Sequence, residues 1–95
     1  MRIGYIRVST EKQNPDNQRE EIRRFAEEKS FEIDDWITET VSGKTRYRKR
    51  KLGRVLRKLR AGDTLVVTEI SRLSRSLTEI MEIMGYCVER GICVY

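Results

Sequence analysis

The chain has 95 residues, enough for one domain with a modest core, and its apolar (38%) and charged (37%) fractions are typical of a globular domain with a heavily charged surface. It contains no histidine, which excludes mechanisms that depend on imidazole, among them Ser-His-Asp and Cys-His catalysis. No apolar run approaches the roughly 18 residues of a membrane span, and no signal peptide is visible. The two cysteines, Cys87 and Cys93, lack metal-ligand spacing, and we expect them to be reduced core residues.

Positive charge is concentrated in one segment of the chain. Residues 44–60 (KTRYRKRKLGRVLRKLR) contain ten basic residues and no acidic one, whereas the rest holds 10 basic against 15 acidic residues, a net charge of −5. Segments of this kind usually contact polyanions, nucleic acid first among them. The alternative is a solvated face that only keeps the protein in solution.

In chain order, the first predicted elements are a strand, a helix and a second strand. The first strand covers residues 2–9 (RIGYIRVS) and is followed by a polar loop, TEKQN. Asn14 caps the helix, Pro15 is its first residue, and it runs to about Lys29. The second strand covers residues 31–38 (FEIDDWIT). The helix residues expected to point inward are Ile22, Phe25 and Ala26.

The next segment, residues 39–51 (ETVSGKTRYRKRK), has no apolar periodicity and is predicted to be a mobile loop. A second helix follows and ends at residues 61–63. Residues 63–70 (DTLVVTEI) are the most apolar strand candidate, which indicates burial on both faces. Residues 71–75 (SRLSR) then turn into a last helix. The apolar residues that fall on one face of the second helix are Leu52, Val55, Leu56 and Leu59.

The last helix has clear signals at both ends. Ser76 and Glu79 have the spacing of a capping box, and Gly91 ends the helix before a final strand at residues 92–95 (ICVY). The predicted inner stripe consists of Leu77, Ile80, Met81, Met84, Cys87 and Val88. The resulting order, β-α-β-α-β-α-β, predicts an α/β domain with a mostly parallel sheet and helices on both faces.

A group of polar residues is predicted at the carboxyl edge of this sheet. Tyr5, Arg7 and Ser9 share one face of the first strand, since side chains alternate along a strand. Ser9 lies at the strand's carboxyl end, where open α/β sheets place their ligand crevices. The residues expected to join it are Gln13 and Gln18, after the first strand, and Arg72 and Arg75, after the third.

Three arginines and a serine around one crevice, next to a basic segment, describe a site for a phosphodiester. Guanidinium groups match phosphate oxygens and can neutralise charge on a transferring phosphoryl group without a metal. Each residue also has an ordinary explanation: Arg7 could pair with Glu39 or Glu69, Ser9 could end the strand as a turn former, and Tyr5 could only pack.

The sequence resembles the catalytic domain of the serine recombinases, the resolvase/invertase family. The resemblance rests on YIRVSTEKQNPDNQ, then SGK, then GDTLVVTEISRLSRS, and it covers essentially all 95 residues. It implies that Ser9 attacks a DNA phosphodiester and forms a covalent 5′-phosphoserine linkage, with release of a 3′-hydroxyl. The ends would be exchanged in a synaptic tetramer and rejoined by reversal, with no metal and no high-energy cofactor.

The resemblance also implies roles for the other residues. Arg7, Arg72 and Arg75 would stabilise the phosphate, supported by Gln13 and Gln18, with Tyr5 as a neighbour. Glu39 matches an acidic position of the family. The expected DNA contacts of the basic segment and its flank are Ser42, Lys44, Arg46, Lys49, Arg50 and Lys51.

Two positions depart from the family pattern. Ser71 stands where the family commonly has an aspartate before the RLxR arginine, so the acceptor of the Ser9 proton stays open. The family's loop arginine matches Arg48 when counted from Ser42 and Lys49 when counted from Leu52. We prefer Arg48, because bidentate phosphate binding needs a guanidinium.

The implied partner is double-stranded DNA at recombination sites, with a homodimer and a synaptic homotetramer formed by the full-length protein and no membrane. The family implies a bacterial, phage or mobile-element origin and action at the nucleoid in the cytoplasm. We expect residues 1–95 to be the catalytic domain, with a long oligomerisation helix and a DNA-binding region beyond Tyr95. The rival hypotheses are a non-catalytic nucleic-acid-binding α/β module, a metal-dependent nuclease and a flavodoxin-like or response-regulator domain; the last lacks its motifs.

Overall fold

The computed structural model describes residues 1–10, 12–42 and 44–95. Glu11 of the predicted polar loop and Gly43 of the SGK motif lie outside the described residues. The elements are β1 (Arg2–Val8), α1 (Asp16–Glu28), β2 (Asp35–Thr40), α2 (Lys51–Lys58), β3 (Thr64–Val66), α3 (Leu77–Arg90) and β4 (Cys93–Val94), with 3-10 turns at Tyr47–Lys49 and Ile70–Arg72.

The four described strands form one parallel sheet in the order β2-β1-β3-β4. Helices cover both faces, because alternate residues of the central strands enter two different cores. Ile3 and Tyr5 of β1 pack with α2 and α3, whereas Ile6 of β1 and Val66 of β3 pack with Ile22 of α1. The predicted α/β class, the mostly parallel sheet and the helices on both faces are confirmed.

Two strands, β2 and β3, differ most from the predicted ones, and β4 is also shorter, at Cys93–Val94 instead of residues 92–95. β2 begins at Asp35 instead of residue 31, because Phe31 and Ile33 pack against the α1 side of the sheet instead of joining the ladder. β3 ends at Val66 instead of residue 70, since the chain turns away into the 3-10 turn at Ile70–Arg72. The polar residues that follow β3 therefore lie in a turn instead of a strand, and this turn faces the cleft described below.

The predicted loop at 39–51 is wrong at both ends. β2 continues through Thr40, and α2 already begins at Lys51. Between them, Tyr47 and Arg50 are buried, so this part of the segment is packed against the domain. The helix that follows is shorter than predicted: it ends at Lys58 instead of at residues 61–63, so Leu59 lies directly after it, although the four predicted inward residues are all buried.

Helix α3 has the predicted ends but a different inner face. The Ser76 side chain accepts a hydrogen bond from the Glu79 N–H (3.3 Å), and Gly91 ends the helix with a φ of 71°. The buried face is formed by Glu79, Ile83 and Cys87, since Glu79 accepts a hydrogen bond from the Tyr47 N–H (3.2 Å) and turns toward the core. Of the predicted stripe, Ile80 and Met84 are only half-buried and the exposed members are Leu77, Met81 and Val88.

The cysteines are both free, but only Cys87 is a core residue. Cys93 lies on the edge strand β4 and is exposed, so the prediction that it is buried is wrong.

Candidate active site

Ser9 follows β1 directly and is half-buried at the carboxyl edge of the sheet. Its hydroxyl oxygen accepts a hydrogen bond from Arg7 Nη1 at 3.3 Å, and its N–H donates to Gln13 Oε1 at 2.6 Å. Arg7 therefore reaches the serine from the same face of the strand, as alternation predicts, and Gln13 fixes the serine's backbone.

Arg7 is only 1% exposed, and its other donors contact backbone oxygens. Nη1 also donates to the Val41 carbonyl at 3.1 Å, Nη2 to the Ser71 carbonyl at 2.9 Å, and Nε to the Arg72 carbonyl at 3.0 Å. Within the described residues, Arg7 forms no ion pair with a carboxylate. Burial, and then the charge of Arg50, lower the pKa of Arg7 below its ordinary value.

Gln18 and Arg72 meet at the end of β1. Gln18 Nε2 donates to the Arg7 carbonyl at 3.0 Å, and Arg72 Nη1 donates to the same oxygen at 3.2 Å. Arg72 Nε also lies 3.2 Å from Glu69 Oε1. These contacts place one guanidinium from the turn after β3 beside the strand end that carries Ser9.

A polar cleft opens beside this strand end, and Arg75 lies on a second concavity of the surface. The cleft is formed mainly by Gln13, Asn14, Asn17, Gln18, Glu69 and Arg72. Arg75 is exposed and lines a shallow pocket with Lys44 of the basic segment. Arg75 is also close enough to Arg7 for its charge to lower the pKa of Arg7.

Tyr5 and Glu39 are joined to each other. The Tyr5 hydroxyl is fully buried and donates to Glu39 Oε2 at 2.6 Å. Glu39 also accepts from the N–H groups of Lys51 (3.0 Å) and Leu52 (3.1 Å), the first two residues of α2. Burial, and then the hydrogen bond to Glu39, raise the pKa of Tyr5. Glu39 thus caps α2 with both of its oxygens, instead of contacting Ser9.

Of the two candidates for the loop ligand, Arg48 points to α3. Its Nη2 lies 2.8 Å from Glu82 Oε1 in an exposed ion pair. Lys49 is exposed and lines a shallow pocket with Lys51 at the end of β2. The preference for Arg48 over Lys49 stays a prediction.

Nine of the ten basic residues in the 44–60 segment are exposed, and Arg50 is the exception. It is 2% exposed, and its Nη2 donates to the Leu73 carbonyl. This inward position differs from the surface position expected of a DNA contact. No signal in the sequence separates Arg50 from its basic neighbours, because a run of charged residues has no apolar period. The other expected contacts, Ser42, Lys44, Arg46, Lys49 and Lys51, are exposed.

In the described ranges, no helix has the length and apolar character needed to cross a membrane. The same ranges contain no group of three or more His, Cys, Asp or Glu side chains placed to hold a metal ion.

Comparison with known proteins places this chain in a family. The model of the resolvase N-terminal domain matches residues 2–95. The chain belongs to the resolvase family of serine recombinases. It is 42% identical over 92 residues to the serine recombinase Gin of Escherichia phage Mu, covering 97% of this chain and 44% of that protein. It is 35% identical over 91 residues to the Tn21 transposon resolvase of Escherichia coli, covering 96% and 44%.

A solved serine recombinase domain has the same fold. The N-terminal catalytic domain of TP901-1 integrase superposes with a TM-score of 0.86 at 25% identity, over 99% of this chain and 76% of that one. This serine recombinase chain spans less than half the length of the two relatives named above.

Proposed function

We propose that the protein is a site-specific DNA recombinase of the resolvase/invertase type, in which Ser9 is the nucleophile. The Ser9 hydroxyl loses its proton as its oxygen forms a bond to phosphorus, the bond from phosphorus to the 3′-oxygen breaks, and the 3′-oxygen takes up a proton, so that no net proton is gained or lost. Attack by a 3′-hydroxyl on the phosphoserine reverses the step, so the bond energy is conserved and neither metal nor high-energy cofactor is needed. The observation that carries this proposal is the contact of Arg7 Nη1 with Ser9 Oγ.

The arginines supply the charge that this reaction requires. An unactivated serine is a poor nucleophile, and the developing negative charge on the phosphoryl group is best stabilised by fixed donors. Arg7 is fixed by three carbonyls and Arg72 by the end of β1, while Arg75 is exposed and can move to the phosphate. Each of the three is expected to contribute on the order of 10²–10³ in cleavage rate.

The partner is double-stranded DNA, held in part by the exposed members of the basic segment. These side chains contact phosphates and carry no base specificity that we can identify. Residues 1–95 act as the catalytic domain of a longer protein, which forms a dimer and a synaptic tetramer on its recombination sites. The greater length of Gin and the Tn21 resolvase supports this. The DNA is bacterial, phage or transposon DNA in the cytoplasm.

A covalent adduct on Ser9 is the decisive measurement. The full-length protein is incubated in EDTA with a DNA fragment that it demonstrably binds, denatured, trimmed with nuclease and analysed by mass spectrometry. We expect a nucleotide on the peptide that contains Ser9, its loss in Ser9→Ala, and its retention in Ser30→Gly, an exposed serine with a φ of 61° in the turn after α1.

The alternatives predict different results in the same experiment. A non-catalytic nucleic-acid-binding module would bind the DNA without any adduct. A metal-dependent nuclease would cleave only without EDTA, and Ser9→Ala would leave its cleavage unchanged. Either result would overturn the proposed function.

A further inference from the structure

A carboxylate contacts one of the arginines beside Ser9. Glu69 Oε1 lies 3.2 Å from Arg72 Nε, and both side chains line the polar cleft at the end of β1. Ser71, which stands where the family commonly has an aspartate, is uncharged. Glu69 is therefore the acidic side chain of the turn after β3, and among the described acidic residues it is the one that pairs with Arg72.

The turn itself brings the two side chains together. The Arg72 N–H donates to the Glu69 carbonyl at 3.1 Å, and the next residue, Leu73, is fully buried, so the backbone of the turn is fixed. Side chains three residues apart in a 3-10 turn project from the same side, because such a turn has three residues per repeat. The local fold therefore imposes the pairing of Glu69 with Arg72.

The Arg72 guanidinium is held at two of its nitrogens and open at the third. Nη1 donates to the Arg7 carbonyl at 3.2 Å, and Nε faces Glu69. Nε is buried and has no hydrogen-bond partner among the described residues, so the nearby carboxylate is the group that compensates its charge. Within the same residues Nη2 forms no contact of this kind, which leaves it for a ligand in the cleft. A guanidinium fixed in this way can offer its remaining donors to phosphate in a defined plane.

We propose that Glu69 is a positioning residue, which orients the Arg72 guanidinium so that Nη2 is presented to the scissile phosphate. This role rests on the proposed function. Glu69 does not itself contact the phosphate, because two negative groups repel each other, and it acts through Arg72. Its side chain is 57% exposed, which limits the strength of the pair. The upper end of the free energy of an exposed ion pair corresponds to about 5-fold in rate, and this is the effect that we expect.

The test compares Glu69→Gln with Glu20→Gln in the full-length protein. Glu20 forms the same kind of ion pair, with Arg24 at 3.6 Å on α1; its side chain is similarly exposed (53%), and it does not line the cleft. Each variant removes one negative charge and one exposed ion pair. Two quantities are measured: the single-turnover rate of Ser9–DNA adduct formation at saturating DNA, and the dissociation constant of the DNA fragment.

We expect Glu69→Gln to slow adduct formation about 5-fold and to bind the DNA at least as tightly as the wild type, because a negative charge near the phosphate is lost. Damage to the structure would weaken binding and cleavage together, so slower cleavage without weaker binding is specific to positioning. Glu20→Gln should leave the rate unchanged. In an Arg72→Gln background, Glu69→Gln should have no further effect on the rate, because the group that it orients is absent.

The possible results separate this inference from the function on which it rests. If Glu69→Gln forms the adduct at the wild-type rate, the positioning role is overturned. A faster rate would also overturn it, since Glu69 would then compete with the phosphate for Arg72. Weaker binding together with slower cleavage, or equal slowing in the Arg72→Gln background, would show a structural contribution instead. If the wild type forms no Ser9 adduct, the proposed function is overturned and the inference with it.

Discussion

At the scale of single residues, the polar side chains buried beneath the serine are joined to backbone groups and to each other. Arg7 donates hydrogen bonds to four oxygens. Glu39 accepts hydrogen bonds from the Tyr5 hydroxyl and from two backbone N–H groups of α2. Only one of these contacts reaches Ser9 itself. The serine is therefore held by a network whose members are fixed before any DNA arrives, as expected of a preorganised site.

The hydrogen bond of Tyr5 to Glu39 predicts a specific loss of stability at alkaline pH. The folded pKa of Tyr5 is raised, so above about pH 10 the unfolded chain releases a proton that the folded chain retains. Unfolding is then favoured by up to about 1.4 kcal/mol per pH unit, while the contribution is fully present below pH 10. Urea unfolding between pH 8 and 11 measures it, with Tyr5→Phe as the reference.

Tyr5→Phe should be less stable than the wild type at pH 8, because Glu39 loses a donor, by about 1–3 kcal/mol. The difference between the two proteins should shrink as the pH rises above 10. Parallel stability curves for the two proteins would contradict the raised pKa of Tyr5, since the Tyr5 hydroxyl is the one group in which the two proteins differ.

The sequence predicts which residues gather at this site better than it predicts what they contact. Strand alternation is sufficient to place Arg7 beside Ser9, because Tyr5, Arg7 and Ser9 must share a face. The carbonyl partners of Arg7 and Arg50 cannot be predicted in the same way, since every residue carries a carbonyl and no side-chain pattern identifies it. Glu39 matches a family position, but its capping of α2 depends on where that helix begins.

At the scale of elements, the approach of α2 to the 3-10 turn before it depends on a glycine. A Cβ built on Gly53 would lie 2.6 Å from the Tyr47 carbonyl oxygen and 2.9 Å from Arg48 Cα, both backbone atoms that cannot move independently. The turn and α2 pack this closely only because the position lacks a side chain. The basic segment is thereby folded back on itself, which sequence periodicity did not predict.

Gly53→Ala should therefore destabilise the domain by about 1–3 kcal/mol through overpacking, despite the higher helix propensity of alanine. Gly85→Ala is the matched control, a helical glycine in α3 whose added Cβ would meet nothing within 4 Å. This second variant should be more stable than the wild type by about 0.5–1 kcal/mol. Chemical denaturation of both variants measures the difference; stabilisation of both would show that the close approach at Gly53 can relax.

The elements also show the limits of apolar periodicity. In α2 the three apolar positions, Leu52, Val55 and Leu56, match the buried face, because basic residues and Gly53 fill the rest of that helix. In α3 apolar residues occur on two faces, so periodicity alone cannot choose between them. The contact of Glu79 with Tyr47 decides the rotation, and it depends on tertiary structure.

At the scale of the whole molecule, the exposed basic residues of the 44–60 segment form one positively charged stretch, whereas the rest of the chain has a net negative charge. Phosphate contacts from such a segment release counterions, so DNA affinity should fall steeply with salt concentration.

Lys49→Gln in the full-length protein should reduce the slope of log K against log salt by about one. Arg24→Gln, an exposed position on α1 outside the segment, should leave the slope unchanged. Equal slopes for all three proteins would exclude Lys49 as a phosphate contact.

The position of β1 inside the sheet has a consequence for how the protein is made. β1 is synthesised before both of its neighbours, because Ile3 pairs with Asp35 and Arg2 pairs with Thr64, which are far along the chain. Pairings between distant residues form late and slowly. β1, the strand that leads to Ser9, therefore stays unpaired during synthesis until most of the domain has emerged from the ribosome. A nascent chain in this state carries Ser9 and Arg7 but neither Arg72 nor Arg75, so it lacks part of the charge that cleavage of DNA requires.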